Sequence, residues 1–296
     1  MAVDAALRRL ARLPQAPWLH AEVARRMAEK LQLIRLKPER VIDWWSVLGA
    51  GAGLLEQAYP QARRVAVEPD ANWAQRCREQ QQRPWWSPRR WAGGDTEVLA
   101  QAGEIPAGAQ LVWANMMLHA VVDPPALMAR WHRLLSVDGF VMFSCLGPGT
   151  LRELRTLFER RGWSPPTPGF VDMHDLGDML VQAGFADPVM DQETLTLRWD
   201  SPASLLRELR TLGGNTAPER AAGLRTPRWR RELERELAAL ADADGKIGLS
   251  FEVAYGHAFK GGPRLRAGEA TKVSLADMRA MVRSSHGRAK APPPLR

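Results

Sequence analysis

The stretch Arg40–Glu68, RVIDWWSVLGAGAGLLEQAYPQARRVAVE, decides the fold. Arg40 to Trp45 is rich in β-branched and aromatic residues, the composition of a strand buried on both faces. The Gly-rich segment Gly49-Ala50-Gly51-Ala52-Gly53 follows, Leu54 to Tyr59 is helical, and Pro60 ends the helix. Arg64 to Glu68 is a second strand closing on an acid. Strand, Gly-rich turn, helix and strand make up the unit from which parallel sheets are built. Glycines there let a ligand approach the backbone, and a helix N-terminus favours anions. An acid ending the second strand can accept both hydroxyls of a ribose. Gly49, Gly51 and Glu68 are therefore candidate cofactor-binding residues. The bland alternative is a flexible strand-to-helix turn with no ligand.

Working outward, the apolar spacing over residues 17–36 predicts a helix stopped by Pro38. Downstream, helices are predicted over 72–81, 124–135, 150–161, 175–183, 201–212 and 227–240. Strands are predicted over 110–114, 140–146, 189–199 and 246–259. The alternation implies an α/β fold, a doubly wound seven-stranded Rossmann-like sheet with an added helical cap region. The expected organisation is a helical region over 1–39, a main domain over 40–262 with helical additions at about 150–185 and 201–241, and a mobile basic tail over 263–296.

Composition narrows the classes. The 296 residues carry a net charge of +8. No apolar run approaches the roughly 18 residues needed to cross a bilayer, and the N-terminus lacks the pattern of a secretory signal. Two cysteines, Cys77 and Cys145, make no disulfide framework, which suits a reducing, cytoplasmic setting. The positive balance suits an acidic partner: nucleic acid, an anionic surface or an acidic carrier protein.

Other candidates follow from position. One GxGxG turn without a second Gly-rich half favours S-adenosylmethionine over a dinucleotide. Asp95, expected just past the third strand, can accept an adenine amino group, or can cap a helix over 97–101. Asn115 follows a strand on the edge where such sheets bind ligands. Asp123-Pro124-Pro125-Ala126 resembles the DPPY-type loop of amino-group methyltransferases but lacks its aromatic residue, and Pro124 is placed to start a helix. Cys145 reads as a buried thiol. His119, His174 and His257 have no metal-ligand spacing. Most of the twelve tryptophans read as core, and Trp85–Trp91 (WWSPRRW) is thin support for single-stranded nucleic-acid binding, which is the lesser expectation.

Over about Trp18 to Lys260 the chain resembles the malonyl-acyl-carrier-protein O-methyltransferase family of biotin biosynthesis. The resemblance rests on Arg40 to Asp43, Gly94-Asp95-Thr96-Glu97, Asn115 to His119 and Phe143–Arg155 (FSCLGPGTLRELR). Val171–Glu193 (VDMHDLGDMLVQAGFADPVMDQE) and Phe251–Lys260 (FEVAYGHAFK) add to it. It implies methyl transfer from S-adenosylmethionine to the free carboxylate of a malonyl thioester, with acidic acyl carrier protein as partner and no membrane. A carboxylate is ionised at neutral pH, so no base is needed, but a cation should hold it. Arg152 and Arg155 are the candidates, with surface helix charges as the alternative. The family pattern D-x-G-x-G-x-G adds Asp43 to the cofactor set. Counted without a gap from Asp43, it places Trp45 and Val47 on the first two glycines and Gly49 on the third. A shifted register would use Gly49, Gly51 and Gly53. The gapless one keeps Pro60 and Glu68 at the expected spacing and is preferred. It makes a catalytically reduced binding or assembly protein on the same fold the alternative function.

Overall fold

The computed structural model describes residues 2–81 and 96–262. Trp85–Trp91, Asp95 and the basic tail lie outside them. The chain divides into two units, Met1–Gly261 and Gly262–Arg296.

The strands are β1 (Arg40–Trp44), β2 (Arg63–Glu68), β3 (Thr96–Ala100), β4 (Ala109–Ala114), β5 (Leu135–Leu146), β6 (Ala186–Trp199) and β7 (Ile247–Phe259). They form one sheet in the order β3-β2-β1-β4-β5-β7-β6. The pairs from β3 through β5 are parallel, while β7 runs antiparallel to both β5 and β6. The sheet is therefore mixed, with one reversed strand. The order switches direction between β1 and β4, which opens a crevice at the carboxyl ends of those strands.

The helices are α1 (Ala2–Leu10), α2 (Trp18–Leu31), α3 (Ser46–Gly49), α4 (Ala52–Ala58), α5 (Ala71–Gln81), α6 (Pro124–Leu134), α7 (Arg152–Arg160), α8 (Met173–Gln182), α9 (Pro202–Thr211) and α10 (Pro227–Ala238). Asp123 caps α6, its side chain accepting from the Ala126 N–H, so the DPP segment starts a helix. No described helix is long and apolar enough to cross a membrane.

Alternating side chains serve two cores. Ile42, Trp44, Val112 and Ala114 face one apolar cluster, and Val41, Leu111 and Trp113 face the other. Trp44 and Trp131 meet edge to face at 6.0 Å. The near-continuous apolar runs of β1 and β4 follow from burial on both faces.

One expectation needs correcting. Thr96–Ala100 is strand β3, paired in register with Arg64–Glu68, and not the helix that Asp95 would cap. Its Thr, Val and Leu residues suit a pleated strand. The third strand thus begins after position 95, and the residue that follows its carboxyl end is Gln101.

Gly51 also has a different task from the one its motif suggests. A Cβ there would lie 2.4 Å from Trp113 Nε1, and Trp113 is wholly buried. The glycine admits an indole rather than a ligand. Gly51→Ala is expected to lower stability by about 1–3 kcal/mol through overpacking, measurable by urea denaturation.

Candidate functional site

The turn after β1 sits at the switch point, and Trp45 and Val47, which the gapless register sets on the family's first two glycines, stand directly after the strand. Ser46–Gly49 forms the short helix α3 directly after β1, with Trp45 at φ 57° and ψ 50° and Ala50 also left-handed. Position 45 is where the family pattern has glycine, and the left-handed backbone is what glycine adopts freely. A tryptophan there is strained, so the surroundings must hold it. The Trp45 N–H donates to Val67 O (2.6 Å), and its indole Nε1–H donates to Gln101 Oε1 (2.9 Å). Gln101 in turn donates its backbone N–H to Glu68 O (2.7 Å). The carboxyl ends of β1, β2 and β3 are thus stitched together.

Glu68 ends β2 as expected, but its carboxyl points into this stitching. Oε1 accepts the Val47 N–H at 3.0 Å, the Cys77 thiol lies against the carboxyl, and the residue is 0% exposed. Burial, with the Asp43 carboxyl nearby, raises its pKa to about 8. Asp43 is buried too. Its Oδ2 accepts from Ser46 Oγ (2.6 Å), and burial raises it to about 6.

Asn115 is a clamp. Its Nδ2 donates to His20 O (2.8 Å) and Gly49 O (2.7 Å), and its Oδ1 accepts from Ser144 Oγ (2.6 Å). Ser144 Oγ accepts the Met116 N–H (3.0 Å). Both amide hydrogens and the carbonyl are spent on tying the β1 turn, α2 and β5 together.

Beside this turn lies an apolar cavity of about 380 Å³, lined by Trp45, Leu48 and Met116 together with residues of α1, α7, α9 and α10. His20 and His119 line it. His20 Nδ1 pairs with Leu48 O (2.9 Å), so that nitrogen carries the hydrogen. His119 Nδ1 accepts the Leu146 N–H (3.3 Å), so its hydrogen is on Nε2. Burial lowers His20 to about 4 and His119 to about 3, which keeps both neutral at pH 7. An unfolded imidazole protonates near 6.5 and the folded His20 only near 4. Its stabilising contribution is therefore whole above 6.5 and lost as pH falls toward 4. The Tm advantage of the wild type over His20→Gln should shrink across that window, and a constant gap would refute the assignment.

Among the described residues, Arg210, Arg220 and Arg225 line the same cavity, and no aspartate or glutamate does. Arg220 Nη1 donates to Ala217 O (2.9 Å), and Arg225 lies 4.6 Å from the Trp229 ring centroid. Arg152 and Arg155 are absent from the lining. Arg152 is exposed beside Glu153, and Arg155 is turned onto the Pro148 carbonyl. These two are surface and turn-holding groups, because α7 presents its apolar side inward through Leu154, Leu157 and Phe158. Cys145 is a buried thiol whose pKa burial pushes up to about 12.

The structure thus brings together Asp43, Gly49, Glu68 and Asn115 at the switch point. It leaves Gly51 against Trp113, while Asp95 is outside the described residues. His20, Gln101 and the cavity arginines escaped the motif reading. His20 sits among the apolar positions of α2, a weak signal, whereas Gln101 and Arg220 carry no local pattern at all.

A methyltransferase-domain family model matches residues 19–187. The malonyl-[acyl-carrier protein] O-methyltransferase of Gallionella capsiferriformans is 38% identical over 83% of this chain and 86% of its own length. That of Laribacter hongkongensis is 37% identical over 85% and 86%, and that of Halorhodospira halophila is 35% identical over 87% and 86%. Among solved structures, the YcgJ protein of Bacillus subtilis superposes with a TM-score of 0.53 at 10% identity, over 80% of this chain and 98% of its own. A Bacillus halodurans protein superposes with a TM-score of 0.51 at 14% identity, over 80% and 99%.

Proposed function

Because the chain belongs to the malonyl-[acyl-carrier protein] O-methyltransferase family of SAM-dependent methyltransferases, we propose that it takes that family's acceptor, the malonyl thioester of acyl carrier protein, in the cavity above the β1 turn. The observation that carries this reading is the lining, which among the described residues has mostly apolar walls, three arginines and no carboxylate. An acyl thioester arm needs an apolar sleeve, and its free carboxylate needs a cation and no competing acid. Arg220, half-buried in the wall, is the residue assigned to the carboxylate.

The rim suits the carrier. Arg228 and Arg231 are exposed along α10, while Arg230 and Arg235 pair with Glu234 and Glu236 of the same helix, and an acidic carrier would be steered to the first two. The family's methyl donor is S-adenosylmethionine and its nucleophile is the carboxylate oxygen. That oxygen is ionised at neutral pH, so the neutral His20 and His119 are not required as bases. Their part is to shape and dry the cavity.

The test is titration with malonyl-loaded and acetyl-loaded carrier protein. The malonyl form should bind more tightly, and Arg220→Gln should remove the difference. A change of about tenfold corresponds to about 1.4 kcal/mol. Equal affinity for the two loaded forms would sink the reading. Charge reversal at Arg228 and Arg231 should weaken both forms alike and mainly slow association.

A further inference from the structure

We infer that this chain has closed the family's donor seat with its own residues and takes no S-adenosylmethionine at the 43–49 turn. The seat has three requirements: a Cβ-free turn after β1, an ionised acid at the end of β2 free to accept the ribose hydroxyls, and open space over the ends of β1, β2 and β3. The described residues meet none of them.

The turn carries side chains where the pattern has glycine, and both are packed in: Trp45 is 6% exposed and Val47 9%. The acid is already used. Glu68 accepts from the Val47 N–H and is sealed from solvent. A carboxyl shut in this way cannot present both oxygens to a sugar. The space is crossed by an indole. Trp45 follows β1 and Gln101 follows β3, and β2 lies between them in the sheet. The Trp45 and Gln101 side chains, joined by a 2.9 Å bond, therefore together bridge roughly two strand spacings, about 10 Å, across the end of β2. Of the other polar groups at the switch point, Asn115 has its amide fully engaged within the protein, and Asp43 is buried with its Oδ2 held by the Ser46 hydroxyl.

The neighbouring cavity does not replace the seat. Among the described residues its charged lining groups are all arginines, which repel a sulfonium and offer a ribose no carboxylate. The acceptor side of the family architecture is thus retained while the donor side is filled. That combination fits a carrier-protein-binding member without donor-dependent turnover at this turn. The closed seat does not depend on the acceptor assignment, since the two use different residues and different ligands.

The experiment is calorimetric titration of the full chain with S-adenosylmethionine and S-adenosylhomocysteine. Parallel titrations use Trp45→Gly/Val47→Gly and Trp45→Gly alone, each checked for cooperative thermal unfolding. No saturable heat is expected from the wild type up to about 1 mM ligand, and a measurable Kd is expected once glycine is restored. Glycine suits position 45 in particular, where the backbone is left-handed. Wild-type binding in the micromolar range would overturn the inference. Folded glycine variants that stay silent would overturn the assignment of the closure to these side chains. Malonyl-carrier binding, measured separately, should be unchanged in the wild type with or without added S-adenosylmethionine; enhancement by it would also count against a closed seat.

Discussion

Asn115→Ala should destabilise the protein by about 3–5 kcal/mol, more than removal of any surface charge. The side chain fills three obligations at once: the carbonyls of His20 and Gly49 and the hydroxyl of Ser144. All of these sit in a region where Asn115 and Ser144 are 0% exposed. Truncation leaves buried polar groups without partners, each costing about 1–3 kcal/mol, and opens a small void. The effects share one site and are not additive. Asn115→Asp tests the mechanism, because a carboxylate has no hydrogens for the two carbonyls and should be at least as damaging. Urea denaturation with an unchanged m-value is the measurement. A loss below about 1 kcal/mol for Asn115→Ala would show that water or backbone relaxation satisfies these groups instead.

Glu68→Gln should have the second large effect, with the opposite sign. The folded carboxyl keeps its proton to about pH 8, against an ordinary value of 4.5. Between those values the folded state binds more protons than the unfolded chain. The stability tied to this group is therefore whole below 4.5 and falls as pH rises toward 8. Glutamine keeps the Oε1 acceptor for Val47 and carries no charge to bury. It should raise stability by a few kcal/mol above pH 8, on the order of 1.4 kcal/mol for each unit of displacement, reduced by relaxation and by coupling to Asp43. Asp43, raised to about 6, contributes in the same direction at lower pH. The neutral histidines act the opposite way below 6.5, so the clean window lies between 6.5 and about 8. Tm followed across it should fall in the wild type and stay flat in the variant. A wild-type Tm indifferent to pH there would mean that Glu68 is ionised and solvated, and would reopen the donor seat.

Much of the architecture is legible locally. The β1 to β2 unit, the stop at Pro60, the helix start at Pro124 and the strand predicted over 246–259 follow from composition and spacing, since buried strands must be apolar and proline punctuates helices. The third strand was not legible. Thr96–Ala100 is short and could pair or coil equally well by propensity, and β2 decides the matter by offering an edge in register. The reversal of β7 is likewise a property of pairing, as a strand's own sequence does not encode its direction.

The candidate site divides in the same way. Its positions are readable, because Asp43, Gly49, Glu68 and Asn115 fall at strand ends that the alternation locates. Their roles are not. The Gly49–Gly53 run draws attention as a ligand loop, yet Gly51 is small because Trp113 lies beneath it. Arg152 and Arg155 lie in a family-specific segment, yet they turn away from the cavity, while Arg220 reaches it from a stretch without a motif.

By itself, then, the chain's sequence determined a doubly wound methyltransferase sheet and the switch point at which its chemistry is placed, because burial periodicity is local and repeats along the chain. Only the tertiary structure decided whether that place stays open. Closure depends on Trp45 meeting Gln101 across an intervening strand and on Val47 meeting Glu68. Contacts between residues 56 and 21 positions apart exist only once the sheet has assembled, and no local pattern announces them.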